Sequence, residues 1–163
     1  MAYEIERKFL VRADSWRAAA GSPSSIRQAY LARNGAVSLR VRIKDDSAAT
    51  LTIKSAAPEI TRLEFEYAIP LADADTLLGL REGAIIEKHR YKIPQQGLVW
   101  EIDVFQGENQ GLVVCEIELP HEDKVFEKPD WLGREVTSDP RYSNANLAMM
   151  PFRTWVAHFP VER

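Results

Sequence analysis

Residues 3–11 read YEIERKFLV, and this stretch decides what kind of fold the chain adopts. Successive side chains of a β-strand point to opposite faces, so Glu4, Glu6 and Lys8 would share one face. The opposite face takes Tyr3, Ile5, Arg7, Phe9 and Val11. The alternation therefore predicts a strand with one charged face and one face for burial.

The same alternation recurs along most of the chain. It predicts about eight short strands, and brief turn-like links such as Asn34-Gly35 favour an antiparallel meander over parallel winding. The predicted strands are Tyr3 to Val11, Ile26 to Arg33, Val37 to Lys44, Thr50 to Lys54, Thr61 to Ile69, Ile85 to Ile93, Leu98 to Phe105 and Leu112 to Leu119. Helices are predicted for Ser15 to Ala20 after a capping Asp14, for Ala72 to Arg81, and from Asp139-Pro140 through Leu147.

The composition is that of an ordinary globular chain. The 163 residues are 45% hydrophobic and 28% charged, so we expect a single domain over residues 1–163. The formal net charge of −3 argues against nucleic acid or a membrane surface as a partner. A single cysteine, Cys115, supports neither an internal disulfide nor a thiolate zinc site. Without a long apolar run or a secretory signal, the expected location is the cytoplasm.

The charged faces of the predicted strands carry both signs. An open sheet with a solvated charged face would explain any one strand, but the few predicted helices could not cover the apolar face of so many strands. A barrel that closes with its charged face inward solves this, although charges buried in the lumen must pair or bind ligands. Arginine and lysine side chains bind phosphate oxygens, whereas carboxylates repel them unless a divalent metal lies between. A lumen that contains both signs therefore indicates metal-bound polyphosphate as its ligand. A ladder of internal salt bridges remains the alternative.

Several short motifs follow one another in a characteristic order. Glu4-Ile5-Glu6-Arg7-Lys8 is similar to the ExExK signature of the CYTH superfamily, the triphosphate tunnel metalloenzymes, and the chain most resembles the small bacterial members. The resemblance extends from residue 3 to residue 148. It continues through Leu39-Arg40-Val41-Arg42, Leu51-Thr52-Ile53-Lys54, Leu63-Glu64-Phe65-Glu66, Glu87-Lys88-His89-Arg90-Tyr91, Glu101-Ile102-Asp103, Glu116-Ile117-Glu118, Leu132-Gly133-Arg134-Glu135-Val136-Thr137 and Asp139-Pro140-Arg141-Tyr142.

The resemblance implies an α+β fold, a closed antiparallel β-barrel tunnel of about eight strands with a charged lumen and peripheral helices. It also implies a metal-dependent triphosphatase that uses Mg²⁺ or Mn²⁺. The implied metal ligands are Glu4, Glu6, Glu64, Asp103, Glu116 and Glu118. The implied phosphate-binding residues are Lys8, Arg40, Arg42, Lys54, Arg62, Lys88 and Arg90. Lys8, Glu6 and Glu118 are the implied catalytic residues.

The expected partner is a small molecule that contains a triphosphate. Our main hypothesis is hydrolysis of inorganic tripolyphosphate to diphosphate and phosphate. The alternatives are a class IV-type adenylyl cyclase, a thiamine triphosphatase and a non-catalytic polyphosphate-binding module. The cyclase would need a purine pocket, which the sequence does not reveal, whereas a binding module could rely on cations without the carboxylates. The sequence leaves the preferred substrate and metal open, and it leaves open whether the protein forms a homodimer.

Overall fold

The alternating segments form nine antiparallel strands within residues 3–56 and 60–159, the part of the chain that the computed structural model describes. All eight predicted strands are present, three of them with the predicted bounds and five with shifted ends, and β9 is additional. The strands are β1 (Tyr3–Val11), β2 (Ser24–Arg33), β3 (Val37–Lys44), β4 (Ala48–Ser55), β5 (Thr61–Ile69), β6 (Glu82–Gln95), β7 (Leu98–Gln106), β8 (Val113–Glu118) and β9 (Leu132–Glu135).

One strand pairing closes the sheet into a barrel. The strands follow the order β5-β4-β3-β2-β6-β7-β8-β1-β9, and β5 also pairs with β1. The closing pairs are antiparallel and include Tyr3 with Leu63 and Glu4 with Arg62. The predicted closed antiparallel barrel is therefore confirmed.

β9 lies outside the barrel, along the second half of β1. It pairs Glu135 with Phe9 and Leu132 with Val11, so it covers the stretch of β1 that β5 does not reach. The Arg7 side chain, which the alternation puts on the apolar face, donates from Nε to Glu135 at 2.9 Å. The added strand thus protects a backbone edge and pairs the one charge on the apolar face of β1.

Helices and loops cover much of the outer face of the barrel. Helix α1 (Leu71–Leu78) buries Ala74 and Leu78 against outward-facing residues of β2, β3 and β4. On the other side, Trp100 is the centre of a second cluster, where Trp16 and Trp131 are also buried. Burial of these apolar faces removes them from water and leaves the charged faces to the lumen.

One end of the lumen is apolar, which the sequence analysis did not predict. Leu10 and Val114 face each other on β1 and β8 and continue the lumen faces of Lys8 and Glu116. They pack against the C-terminal segment, which contains α2 (Asn144–Met149) and α3 (Phe152–Trp155). This C-terminal plug fills that end of the lumen. Its buried residues include Tyr142, Leu147, Phe152 and Trp155.

The predicted helices differ in detail from the observed ones. Ser15–Ala19 is a 3₁₀ helix, and the Asp14 side chain makes no capping hydrogen bond. Asp139 does cap, but only a 3₁₀ turn at Pro140–Tyr142. Ser143 is extended and accepts a hydrogen bond from the Asn146 amide, so it starts a new helix and interrupts the predicted one. Within the described residues, no helix is long and apolar enough to cross a membrane.

Gly83 allows β6 to approach the C-terminal plug, and its replacement should destabilise the fold. Its φ is +73°, and a Cβ there would lie 2.5 Å from the Ala148 carbonyl oxygen. We expect Gly83→Ala to cost about 3 kcal/mol, since backbone strain adds to a clash that only main-chain movement relieves. Gly97→Ala is the matched control. With φ +78° and no atom within 4 Å of its Cβ, it should cost about 1 kcal/mol in urea unfolding. Equal losses would contradict the prediction.

Candidate active site

The charged faces of the strands enclose one cavity of about 460 Å³ inside the barrel. Every residue that the sequence assigned to phosphate or metal lines it, except Asp103. The cavity has seven cationic and seven carboxylate side chains, so its formal charge is zero. They are Lys8, Arg40, Arg42, Lys54, Arg62, Lys88 and Arg90, with Glu4, Glu6, Glu64, Glu66, Glu101, Glu116 and Glu118.

Asp103 lies beneath the cavity wall and holds two of its cations. The carboxylate is fully buried and accepts from Lys88 Nζ at 2.7 Å. Arg90 binds both carboxylate oxygens, from Nε at 2.7 Å and from Nη2 at 2.8 Å. Burial would raise the pKa of Asp103, but Lys88 and Arg90 outweigh it and keep that pKa below its usual value. These contacts favour a positioning role for Asp103, and its predicted part in metal binding stays a prediction.

Glu4 is held by cations from two other strands. Lys54 Nζ lies 2.8 Å from Glu4 Oε2, and Arg62 Nη2 lies 3.1 Å from Oε1. Burial would raise the pKa of Glu4, but these two charges outweigh it and lower the pKa. Lys54 also lies 3.5 Å from Glu64. Part of the predicted salt-bridge ladder therefore exists in the lumen.

Glu6 is the carboxylate that the cations compensate least. Burial, followed by the charges of Glu116 and Glu4, raises the pKa of Glu6 to about 8. Glu116 differs, because Lys8 at 3.5 Å and Arg90 at 3.7 Å overcome its burial and hold its pKa well below the usual value. Burial and the charge of Glu4 raise the pKa of Glu118 as well. The lumen thus has an acidic side where negative charge exceeds what nearby cations neutralise.

This acidic side suits a hard divalent cation. Mg²⁺ and Mn²⁺ prefer carboxylate oxygens, and a dication would offset the burial and the carboxylate repulsion that raise the pKa of Glu6. Across residues 3–56 and 60–159, no three acidic, histidine or cysteine side chains already form a metal cage.

Two polar residues that the sequence analysis missed connect the cations to the C-terminal plug. Gln28 is fully buried and accepts from Arg42 Nε at 2.7 Å. The Asn144 side-chain oxygen accepts from Gln28 at 3.2 Å and from Lys88 Nζ at 3.1 Å. Alternation along β2 could have put Gln28 on the lumen face. No local signal could have found Asn144, because it reaches the site only through the packing of the plug.

The CYTH domain family matches residues 2–148 of this sequence. The chain belongs to the CYTH family. Two curated relatives, both named inorganic triphosphatase, agree with this. The protein from Acetivibrio thermocellus is 47% identical, over 95% of this chain and 99% of its own. The protein from Nitrosomonas europaea is 37% identical, over 90% of this chain and 97% of its own.

A solved structure shares the CYTH barrel. The crystal structure of an inorganic triphosphatase superposes with a TM-score of 0.65 at 35% identity, covering 91% of this chain and 96% of the other. The family resemblance drawn from the ordered strand motifs is thus confirmed. As a member of the CYTH family, the chain is expected to work with a divalent cation, in keeping with the acidic side of its lumen.

Removal of the Glu6 charge should stabilise the metal-free protein at high pH. A carboxyl group whose folded pKa is raised binds its proton more tightly when folded, so stability falls as pH rises from about 4.5 to about 8. In urea unfolding at pH 8.5 with chelator, we expect Glu6→Gln to gain on the order of 2 kcal/mol.

Glu4→Gln is the matched control for this change. The pKa of Glu4 is lowered, so neutralising Glu4 leaves Lys54 and Arg62 without their shared partner and should destabilise the fold under the same conditions. A Glu6→Gln protein that is less stable than wild type at pH 8.5 would contradict our account of the acidic side.

Proposed function

We propose that this CYTH protein hydrolyses inorganic triphosphate to diphosphate and phosphate with the help of Mg²⁺ or Mn²⁺. The observation that carries the proposal is a closed lumen in which seven cations face seven carboxylates. Two relatives named inorganic triphosphatase, which match nearly the whole chain, support it.

The cations would bind the phosphate chain from several sides. Arg40, Lys54 and Arg62 lie on β3, β4 and β5, whereas Lys8 and Arg90 lie on β1 and β6. Arginine can donate two parallel hydrogen bonds to phosphate oxygens, and lysine contributes a compact charge. Asp103 holds Lys88 and Arg90 in place before substrate arrives, which reduces the ordering needed on binding.

The charge balance explains why the same lumen would need a metal. Its formal charge is zero, so its own residues do not neutralise a highly charged anion. Glu4, Glu6, Glu116 and Glu118 would hold Mg²⁺ or Mn²⁺, with Glu64 as a further ligand. A bound dication would supply charge neutralisation at the phosphate oxygens, the main requirement of phosphoryl transfer.

The chain's own residues would position the attacking water and stabilise the charge that develops on the phosphate. Glu6 and Glu118 line the same cavity, so their carboxylate oxygens would orient the attacking water by accepting hydrogen bonds from it. Lys8, which lies 3.5 Å from Glu116, can stabilise charge that develops on the phosphate oxygens. No covalent bond to the protein is required in this scheme.

Inorganic tripolyphosphate should be hydrolysed faster than ATP. Apart from Tyr3, Tyr30 and Ala145, the cavity is lined by charged side chains, Ser38 and Asn144, which recognise phosphate oxygens better than a purine. The test incubates purified protein with tripolyphosphate, ATP or thiamine triphosphate, each with Mg²⁺, Mn²⁺ or chelator. Phosphate and cyclic AMP are then measured, and we expect phosphate with metal and no cyclic AMP.

Each rival function gives a different result in this assay. Cyclic AMP at a rate similar to phosphate release would favour the cyclase, and a preference for thiamine triphosphate would favour the thiamine triphosphatase. Binding without hydrolysis under any metal would favour the polyphosphate-binding module.

Arg40 should contribute directly to triphosphate affinity. Its side chain is 8% exposed, and its Nη2 donates to the Thr52 hydroxyl at 3.1 Å while Glu66 lies 3.7 Å away. In metal-free calorimetry with tripolyphosphate, Arg40→Ala should lose about 1.5 to 3 kcal/mol of binding free energy. Lys124→Ala, outside the lumen, should bind like wild type. Wild-type affinity of Arg40→Ala would place the phosphate site elsewhere.

Three further expectations from the sequence stay predictions. They are a single domain over residues 1–163, a cytoplasmic location and a homodimer. The absence of nucleic acid and membrane among the partners is likewise expected from the charge of the chain. Gel filtration with light scattering would test the homodimer directly.

A further inference from the structure

The C-terminal plug supplies part of the wall of the tunnel cavity. Asn144 and Ala145, the first two residues of α2, line the cavity together with residues of the barrel strands. Two lysines of the lumen hold this part of the plug. Lys8 Nζ donates to the Tyr142 carbonyl oxygen at 3.1 Å, and Lys88 Nζ donates to the Asn144 side-chain oxygen at the same distance. The proposed function gives Asn144 no role.

The neighbours of Asn144 determine which way its side-chain amide faces. A lysine ammonium group can only donate hydrogen bonds, so the atom that contacts Lys88 must be the amide oxygen. The same oxygen accepts from Gln28 Nε2 at 3.2 Å. The amide nitrogen, Nδ2, has no acceptor within residues 3–56 and 60–159. Asn144 therefore keeps its N–H donors unused on a side chain that lines the cavity.

A second cation is linked to the same side chain through Gln28. The fully buried Gln28 accepts from Arg42 Nε at 2.7 Å through its oxygen and donates to Asn144 through its nitrogen. Two neutral amides thus connect Arg42 to Lys88 and fix the positions of both cations without adding a carboxylate. The terminal nitrogens of Arg42 have no acceptor in the part of the chain that the structure describes.

The unused donors of Asn144 suit a phosphate oxygen better than a metal ion. An amide binds Mg²⁺ or Mn²⁺ through its oxygen, and here that oxygen already accepts from Lys88 and Gln28. An N–H group directed at an anionic oxygen makes a strong hydrogen bond. A neutral donor also leaves the charge balance of the lumen unchanged, whereas a further cation would pair with one of its carboxylates.

We propose that Asn144 is a substrate-binding residue that donates from Nδ2 to a phosphate oxygen of the triphosphate. The inference rests on the proposed function for the identity of that substrate. Lys88 and Gln28 hold the oxygen of the amide, so its nitrogen is oriented before substrate arrives. The C-terminal plug is then part of the binding site as well as part of the apolar core.

Two variants of Asn144 separate a contact with substrate from a purely structural role. Asn144→Asp keeps an oxygen for Lys88 and Gln28 but replaces the donor with negative charge, whereas Asn144→Ala removes both functions. In metal-free calorimetry with tripolyphosphate, we expect Kd to rise roughly tenfold in Asn144→Ala and about a hundredfold in Asn144→Asp. A residue that only holds the plug gives the reverse order, with Asn144→Asp closer to wild type.

Asn146→Asp is the matched control, because it makes the same change of charge in the same helix. The Asn146 side chain contacts Arg33 and the Pro140 carbonyl oxygen and does not line the cavity. Its Kd should stay within about twofold of wild type. Thermal unfolding of all three variants checks the fold. Asn144→Asp keeps the acceptor for Lys88, so it carries the test even if Asn144→Ala does not fold.

Hydrolysis assays with Mg²⁺ distinguish this inference from the proposed function. If wild type bound tripolyphosphate without hydrolysing it and Asn144→Asp still bound most weakly, the proposed function would fail and the contact would stand. If wild type hydrolysed tripolyphosphate but Asn144→Asp bound it as tightly as wild type or Asn144→Ala, the function would stand and the contact would be overturned. An equal loss in Asn146→Asp would also overturn the contact, because charge alone would explain it. A wild-type protein that did not bind tripolyphosphate would overturn both.

Discussion

The pairing of β5 with β1 is the constraint on which the rest of the structure depends. It turns a sheet with one charged face into a barrel, and it brings Glu4 opposite Arg62, 58 residues later in the chain. Closure also sets Glu4 against Lys54 on the next strand. An open sheet would leave these charges in water, where ion pairs contribute little. In the closed lumen each charge must find a partner among its neighbours or in a ligand.

Some lumen charges are well paired and others are not, and the poorly paired carboxylates lie in the candidate site. Asp103 accepts hydrogen bonds from Lys88 and Arg90, so it holds both cations in one wall of the lumen and leaves no buried charge unpaired there. Glu6 is compensated less well, because its cationic neighbour Arg62 lies 4.0 Å away while burial and two neighbouring carboxylates raise its pKa. A buried carboxylate of this kind destabilises the metal-free protein but can bind a dication. Such groups are expected at functional sites, where the requirements of binding oppose those of stability.

Much of the fold and of the candidate site could be predicted because one pattern determines both. Period-two alternation gave the eight barrel strands, and the same alternation separated residues such as Arg40 and Glu116 from the outer face. β9 was missed because LGRE is only four residues long and does not alternate. The break at Ser143 was missed because its hydroxyl competes for a backbone amide within a segment that otherwise suits a helix. Asn144 depends on tertiary packing, which no local pattern encodes.

The apolar end of the lumen gives the site a direction. On β6, the lumen face runs from Ile86, which is buried against the C-terminal plug, through Lys88 and Arg90 to Lys92. A charged ligand cannot extend toward Ile86, because packed apolar side chains would leave its oxygens without hydrogen bonds. In the other direction the lumen face of β6 ends at Lys92, which is exposed to solvent. The order of residues along β6 therefore determines which end of the lumen is closed by apolar packing and which end is open to charged ligands.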